Sequence, residues 1–526
     1  VTADAPGTDP YPTLADLERP VFVLADGGGV RLTARPPGPG DTLLAAAPPL
    51  PPERLGSAAF LTGHGVRAAY LAGAMAGGIA GTELVTALAR AGYLASFGAA
   101  GLPEARLDAA LCHLADQLGE APYACNLIHT PGSPRHERVC VDLCLRHRVR
   151  CLEASAFLQL TPDLVRYRVT GLGPAGDGGV RVGHRVIAKV SHPRTAEMFL
   201  RPAPEPLLAG LLTSGAITAE QAGLARRVPV ADDVTVEADS GGHTDGRQLT
   251  VLLPVVLALR DRVARDTGLP AVRVGAAGGI GTPSAAAAAF ALGADYVVTG
   301  SVNQSCVEAG THRSVKELLA TADFTDCATA PAADMFEQGV TVQVLSRGTL
   351  FAGRASRLYR LYRDHDSLDS LGADDRGRLE AVLGLPVAEV WRQTRDHLRA
   401  HDPERLRRAE ADPKFRMACV FRWYLAHASR WACAGEAARR ADWQIWCGPA
   451  MGAFNAWTAG TLLADPARRH AATVAAHLLR GAAYHTRVHQ LRAAGLALPA
   501  SCTTYRLPPP SRPRVADALP TPAPPR

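Results

Sequence analysis

The chain has 526 residues, 47% of them hydrophobic and 20% charged, which excludes a disordered chain and exceeds one simple domain. Its formal charge of +6 is spread along the sequence without a dense basic run, so an arginine-rich solvated surface is expected and no nucleic-acid partner. Eleven cysteines, an odd number scattered through apolar segments of a large chain, argue against a disulfide framework.

The N-terminus shows no charged segment followed by an apolar one, and no apolar run reaches the length of a membrane span. A reduced, cytoplasmic location and no membrane partner are therefore expected. Residues 1–60 are Pro- and Gly-rich. Within them "VFVLADGGGVRLT" reads as two short strands around a glycine turn, and "PPGPGDTLLAAAPPLPP" as a linker.

From about 61 to 360 the pattern changes. Eight short apolar runs follow: "AAYLAGAM", "GYLASFG", "YACNLI", "RVRCLEAS", "RVIAKVS", "DVTVEADS", "VRVGAAGG" and "DYVVTGS". Helical stretches such as "GTELVTALARAG", "EARLDAALCHLADQLG" and "TPSAAAAAFALG" separate most of them. Continuous apolar runs joined by helices are the pattern of parallel strands buried on both faces. Eight such units predict an α/β fold, a TIM-type (β/α)8 barrel with a small N-terminal β element and a helical C-terminal region; a doubly wound open sheet is the alternative. Helical, Trp-rich sequence from 361 to 505 reads as a C-terminal domain, and the Pro-rich stretch 506–526 as a disordered tail.

In a barrel, function collects at the C-terminal ends of the strands. After the first run comes "GAMAGGIAG", where Ala74 and Met75 sit among residues small enough for a flat ligand to approach. Asn126 closes the third run with an amide that can donate and accept. Lys189, one of only three lysines, lies in the apolar fifth run, where it needs an anionic or electron-rich partner. After the sixth run, "EADSGGHTDG" sets His243 behind Gly241 and Gly242, whose small size lets the loop pass close to a ligand. A histidine there can serve as acid, base or hydrogen-bond donor near pH 7. "AAGGIGTP", with Gly278 and Gly279, follows the seventh run, and "TGS", with Gly300 and Ser301, the eighth. Glycine turns opening helices at these two positions suit a phosphate. Cys140 and Cys144, one helical turn apart, read as a buried thiol pair; no CxxC or zinc-like histidine spacing follows, and no metal is expected.

The loops "AGAMAGGIAGTELVTALARAG", "CNL", "GGH" and "AAGGIGTPSAAAAAFALGADYVVTGS" resemble those of the nitronate monooxygenase and flavin enoyl-reductase superfamily. "EADSGGHTD", "VTGSVNQ", "PAADMFEQGVTVQVLSRGTLF", "FRWYL" and "QIWCGPAMGAFN" resemble one branch, the PfaD-type trans-acting enoyl reductases of polyunsaturated fatty acid and polyketide synthases. The resemblance runs from about 20 to 490. The simpler nitronate monooxygenases carry a shorter turn before the histidine.

The resemblance implies bound FMN, with the ring against Ala74 and Met75 and its polar edge near Asn126 and Lys189. It puts the phosphate on Gly278, Gly279, Gly300 and Ser301, and His243 beside the ring. It also implies NADPH or NADH as co-substrate, an α,β-unsaturated acyl thioester as substrate and acyl carrier protein domains as partners. A homodimer is compatible with it. The alternatives are a nitronate monooxygenase and a non-catalytic protein that docks on a synthase. The arginine-rich stretches "RASRLYRLYR" and "ERLRRAE" are the expected basic faces for an acidic carrier protein.

Overall fold

The eight apolar runs form one closed barrel of parallel strands. The computed structural model describes residues 9–27, 29–130 and 134–508. The strands are β1 (Tyr70–Ala72), β2 (Leu94–Phe97), β3 (Ala124–Ile128), β4 (Cys151–Ser155), β5 (Arg185–Val190), β6 (Asp233–Glu237), β7 (Arg273–Ala277) and β8 (Val297–Thr299). Each pairs with its neighbours in sequence order, and β8 closes on β1 with Val298 opposite Leu71. An open sheet is thereby excluded. No helix among the described residues is long and apolar enough to cross a membrane.

The barrel interior is filled by Leu71, Leu94, Ala124, Ile187, Tyr296 and Val298, all buried, so it is a packed core and not a pore. A helix, Ala58–His64, plugs the N-terminal end. Its Phe60 stacks on Tyr296 with ring centroids 4.3 Å apart, and its His64 Nε2 lies 2.8 Å from Asp233 Oδ2. Arg273 donates to the same carboxylate at 2.6 and 2.8 Å. Burial alone would raise the pKa of Asp233; His64 and Arg273 outweigh it and hold the group below the usual carboxylate range. This end is closed by structural charges, which leaves the opposite end for chemistry.

Before the barrel, three antiparallel strands form a small sheet in the order Gly29–Thr33, Val21–Asp26, Leu43–Ala47. The third lies in the stretch expected to be a linker. That edge strand is largely exposed and bounded by Pro and Gly, so no apolar alternation marks it. The sheet is fixed to the barrel by Arg487. This fully buried guanidinium donates to the carbonyls of Leu14, Asp16, Leu17, Arg19 and Pro48 at 2.7–3.3 Å.

The expected C-terminal domain 361–505 divides in two. Helices Ala373–Leu383, Val387–His401, Pro403–Ala411 and Pro413–Ala434 form a lobe; the first, second and fourth share a core with strands Cys327–Pro331 and Thr341–Leu345 and helix Phe351–Asp364. Residues beyond it return to the barrel. Trp443, Ile445, Cys447, Met451 and Phe454 join its core, and helix Ala471–Ala493 packs on helices Pro283–Ala291 and Thr82–Arg90. That helix fills the outer position between β8 and β1. Helical periodicity reveals a buried face and not its partner, so the two halves look alike in sequence.

The two basic stretches expected to face a partner are engaged within the lobe in part, while Arg360, Arg363 and Arg407 are exposed. Arg354 pairs with Asp442 and Arg357 with Asp375, while the guanidiniums of Arg405 and Arg408 lie over the Phe415 ring. Of the cysteines, Cys140 and Cys144 are joined by Cys125 from β3, the three buried Sγ atoms lying within 4.8 Å of one another. Of the Pro-rich tail, residues 509–526 lie outside the described residues.

A candidate cofactor and substrate cleft

The C-terminal ends of β1, β5, β6, β7 and β8 open into one cleft of about 630 Å³ including its mouth. Ala74, Met75, Lys189, Gly241, Gly278, Gly279, Gly300 and Ser301 all line it. Asn126 does not: its amide donates to the Glu153 carbonyl at 3.0 Å and the Ser155 hydroxyl at 2.8 Å, bracing β3 against β4. Gly242 and His243 stand outside the lining, in a two-residue strand paired with Thr341–Leu345.

The glycines of the cleft do different jobs. Gly278 has φ of +88°, and a Cβ there would strike the backbone of Ala238 and Asp239 at 2.7–2.8 Å, so its smallness serves packing between loops. Gly279, with φ of +72°, and Gly300, with φ of −127°, would place a Cβ in open space. Among the described residues the N–H groups of Gly279, Ile280 and Gly300 find no acceptor in the protein. Helix Pro283–Ala291 starts just beyond, with Thr282 as its N-cap. Free N–H groups at a helix start make an anion cradle.

The third wall comes from far along the chain. Trp446, Gly448 and Ala450 line the cleft beside the glycine loops. The Gly448 N–H donates to Ser301 Oγ at 3.0 Å, and a Cβ on Gly448 would lie 2.6 Å from the Gly241 nitrogen. A Cβ on Gly241 would meet Cys447 and Gly448 backbone at 2.9–3.0 Å. The sequence points to Gly241 clearing space for a ligand; in the structure it clears space for this returning segment. The indole N–H of Trp446 is buried without a partner.

Charge is concentrated at β5 and β6. Lys189 Nζ lies 2.9 Å from Glu237 Oε1, both mostly buried. Burial works against the lysine charge, but Glu237 and Glu153 outweigh it and raise its pKa above the ordinary lysine value. Glu153, fully buried on β4, accepts from the Ala74 N–H at 2.9 Å through one carboxylate oxygen and leaves the other without a partner. The carboxylate thus fixes the loop after β1 from below.

His243 Nε2 donates to Asp334 Oδ1 at 3.0 Å. The His243 side chain is 32% exposed, so water reaches it. Burial and Lys189 lower its pKa, Asp334 and Glu237 raise it, and the balance lies above the ordinary histidine value. Asp334, correspondingly, is held below the usual carboxylate range against its burial by His243 and Arg422.

Glu237, Asp334, Trp446 and Gly448 are site residues that sequence reasoning does not single out. Glu237 opens the same "EADSGGH" motif as His243. "GPAMG" repeats the glycine-then-helix signal of "GGIGTP", which is the available clue to Gly448. Nothing local points to Asp334, which lies 91 residues from its histidine.

The closed parallel barrel has its glycine-lined cleft at the C-terminal mouth, where TIM barrels carry their sites. The chain belongs to the family of enoyl reductase domains of polyunsaturated fatty acid and polyketide synthases. The enoyl reductase domain of MlnA from the macrolactin cluster of Bacillus amyloliquefaciens is 36% identical, with a TM-score of 0.80 over 84% of this chain and 99% of that one. A component protein of the polyunsaturated fatty acid synthase of Thraustochytrium sp. is 50% identical over 83% of this chain, and the polyketide biosynthesis protein PksE of Bacillus subtilis is 45% identical over 80%. The chain spans 30% and 54% of those two proteins. FabK from Thermotoga maritima, 18% identical with a TM-score of 0.51 over 82% of this chain and 97% of that one, shares the fold. Residues 365–443 match the family model of the inserted helical domain of [acyl-carrier-protein] S-malonyltransferase.

The His243–Asp334 pair can be tested directly. Replacing Asp334 with Asn removes the main group raising the His243 pKa, so the imidazole should titrate at lower pH, as read by NMR of labelled histidine. An unchanged titration would show that the contact does not hold the proton.

Proposed function

We propose that the chain is a trans-acting, FMN-dependent enoyl reductase that uses NADPH or NADH to saturate α,β-unsaturated acyl thioesters carried on an acyl carrier protein. The observation that carries this reading is the joint cleft of Lys189, the Gly279–Ile280 and Gly300 N–H groups and Trp446 beside the His243–Asp334 pair, in a chain of this family. The cleft fits FMN in three respects: unpaired N–H groups for a phosphate, the small residues Gly73 and Ala74 for a flat ring, and the orphaned Trp446 N–H for a polar edge.

When bound, the flavin supplies hydride transfer from the nicotinamide to the β-carbon of the enoyl group. The residues of this chain do the rest. Gly279, Gly300 and Ser301 hold the phosphate end, and Ala74 and Met75 form the wall for the ring. Lys189, kept cationic by Glu237 and Glu153, presents a fixed positive charge in the cleft. His243, held protonated by Asp334, donates a proton from its ring to the α-carbon. A raised pKa keeps the acid form populated above the ordinary histidine value, so this donation is complete at low pH and is lost as pH rises through the raised pKa. The third of the side chain left exposed lets solvent return the proton between turnovers.

His243→Ala should retain FMN and its reduction by NADPH, yet slow the enoyl half-reaction by roughly 10²–10⁴-fold, the usual contribution of a general acid. Stopped-flow measurement of each half-reaction checks this; both at wild-type rates would remove His243 from the mechanism. Gly300→Val places a side chain in the cleft, where a Cβ meets no neighbouring atom. It should fold normally and purify without FMN. Normal FMN content in a folded Gly300→Val protein would overturn the phosphate assignment.

A further inference from the structure

The outer face of helix Leu249–Thr267 carries a stripe with no partner among the described residues. Its inner face is buried through Leu252, Leu253, Val256, Leu259 and Val263. On the opposite side, Val251, Val255, Ala258, Arg262 and Arg265 recur at spacings of four and three, which puts them on one line. Val251 is 61% exposed and Val255 47%, unusual for valines one turn apart on a helix that already has a full core face. The neighbouring helix Pro193–Leu200 packs alongside, and Pro193 and Arg194 complete a shallow groove of about 950 Å³ including its open side.

The charge of this groove, which Glu197 also lines, is only partly compensated. Among the described residues Arg194, Arg262 and Arg265 form no ion pair. The acidic groups nearby are largely engaged: Glu197 holds Arg201 at 2.7 Å and Asp261 holds Arg260 at 2.6 Å, leaving Asp266 as the free carboxylate. In the arginine stretches of the helical lobe, Arg354, Arg357, Arg405 and Arg408 are engaged within the protein.

The position matters as much as the chemistry. Helix Leu249–Thr267 begins directly after the loop that carries His243, so its first turn lies at the rim of the cleft. Arg262 lies 13 residues further, about 20 Å down the outside of the barrel at the usual helical rise. The exposed valines and Arg194, in the first turn of its helix, thus lie toward the mouth, and Arg262 and Arg265 further from it. The loops above are tied together by the Ser191 hydroxyl donating to Asp245 at 2.5 Å, which joins the two sides of the groove at the rim.

We propose that this groove is the docking surface for the carrier domain that delivers the substrate, receiving an acidic amphipathic helix. The valines would take its apolar side and Arg194, Arg262 and Arg265 its carboxylates, leaving the thioester arm to cross the rim at Leu249. The assignment rests on the enoyl reductase reading above and adds where the partner binds.

The test uses the full chain with two substrates bearing the same enoyl group, one on an acidic carrier protein and one on free pantetheine. The surface double variant Arg262→Glu with Arg265→Glu should lower kcat/KM for the carrier-bound substrate by tenfold or more and leave the pantetheine substrate unchanged. A carrier with lysines in place of its acidic helix residues should recover rate with the variant. Equal rates for wild type and variant on the carrier-bound substrate would overturn the proposal. So would an equal fall on both substrates, or a change confined to the sedimentation of the enzyme, which would assign the groove to a second copy of the chain. Failure of the wild type to reduce either substrate would instead refute the enzymatic reading.

Discussion

The site depends on a contact between two glycines. Gly241, in the loop after β6, and Gly448, in the segment returning from the helical lobe, approach so closely that neither position admits a Cβ. That contact brings Trp446 and Ala450 to the cleft and lets the Gly448 N–H reach Ser301 Oγ. A second close approach, in which a Cβ on Gly281 would lie 2.0 Å from the Ala450 carbonyl, fixes the same segment against the loop after β7. The mouth of the barrel is therefore completed by sequence that lies far beyond its last strand. The helical lobe is inserted between β8 and the helix that closes the ring, so lobe and cleft share a frame.

Electrostatics follow from that closure. Lys189 and Glu237 lie in the barrel mouth with little water and compensate each other's charge, and Glu153 adds to the potential that keeps the lysine cationic. Asp334 is brought to His243 by the small sheet in which Gly242–His243 pairs with Thr341–Leu345. Register does the work here: pairing His243 opposite Val342 orients the loop that the barrel alone would leave free. The same sheet carries Val344, bridged to Trp446. Proton-holding pair, indole and glycine contact are consequently parts of one construction.

Much of this is legible in the chain. The eight strands are visible because parallel strands buried on both faces leave uninterrupted apolar runs, and the glycine loops because positive φ and close approach demand glycine. Lys189 announces an anionic partner by being a charge in an apolar strand, though sequence does not say which; Glu237 is the answer. What stays hidden depends on distance along the chain. Asp334 has no local mark of its role, the Ala471–Ala493 helix shows an apolar face but not its destination, and Asn126 looks like a ligand contact although its donors brace two strands. A guanidinium stacked on Phe415 and one facing solvent are likewise identical in sequence.

The task proposed for the cleft is to pass electrons from a nicotinamide to a carbon–carbon double bond. Its most direct test is the absorption spectrum of the purified protein, followed without oxygen as NADPH and then an enoyl thioester are added. The protein should carry a flavin spectrum that NADPH bleaches and that the enoyl thioester restores, with one saturated thioester formed per flavin reoxidised. A protein that is colourless and refuses FMN, or one that is bleached by NADPH and recovers only on admission of air, would contradict it.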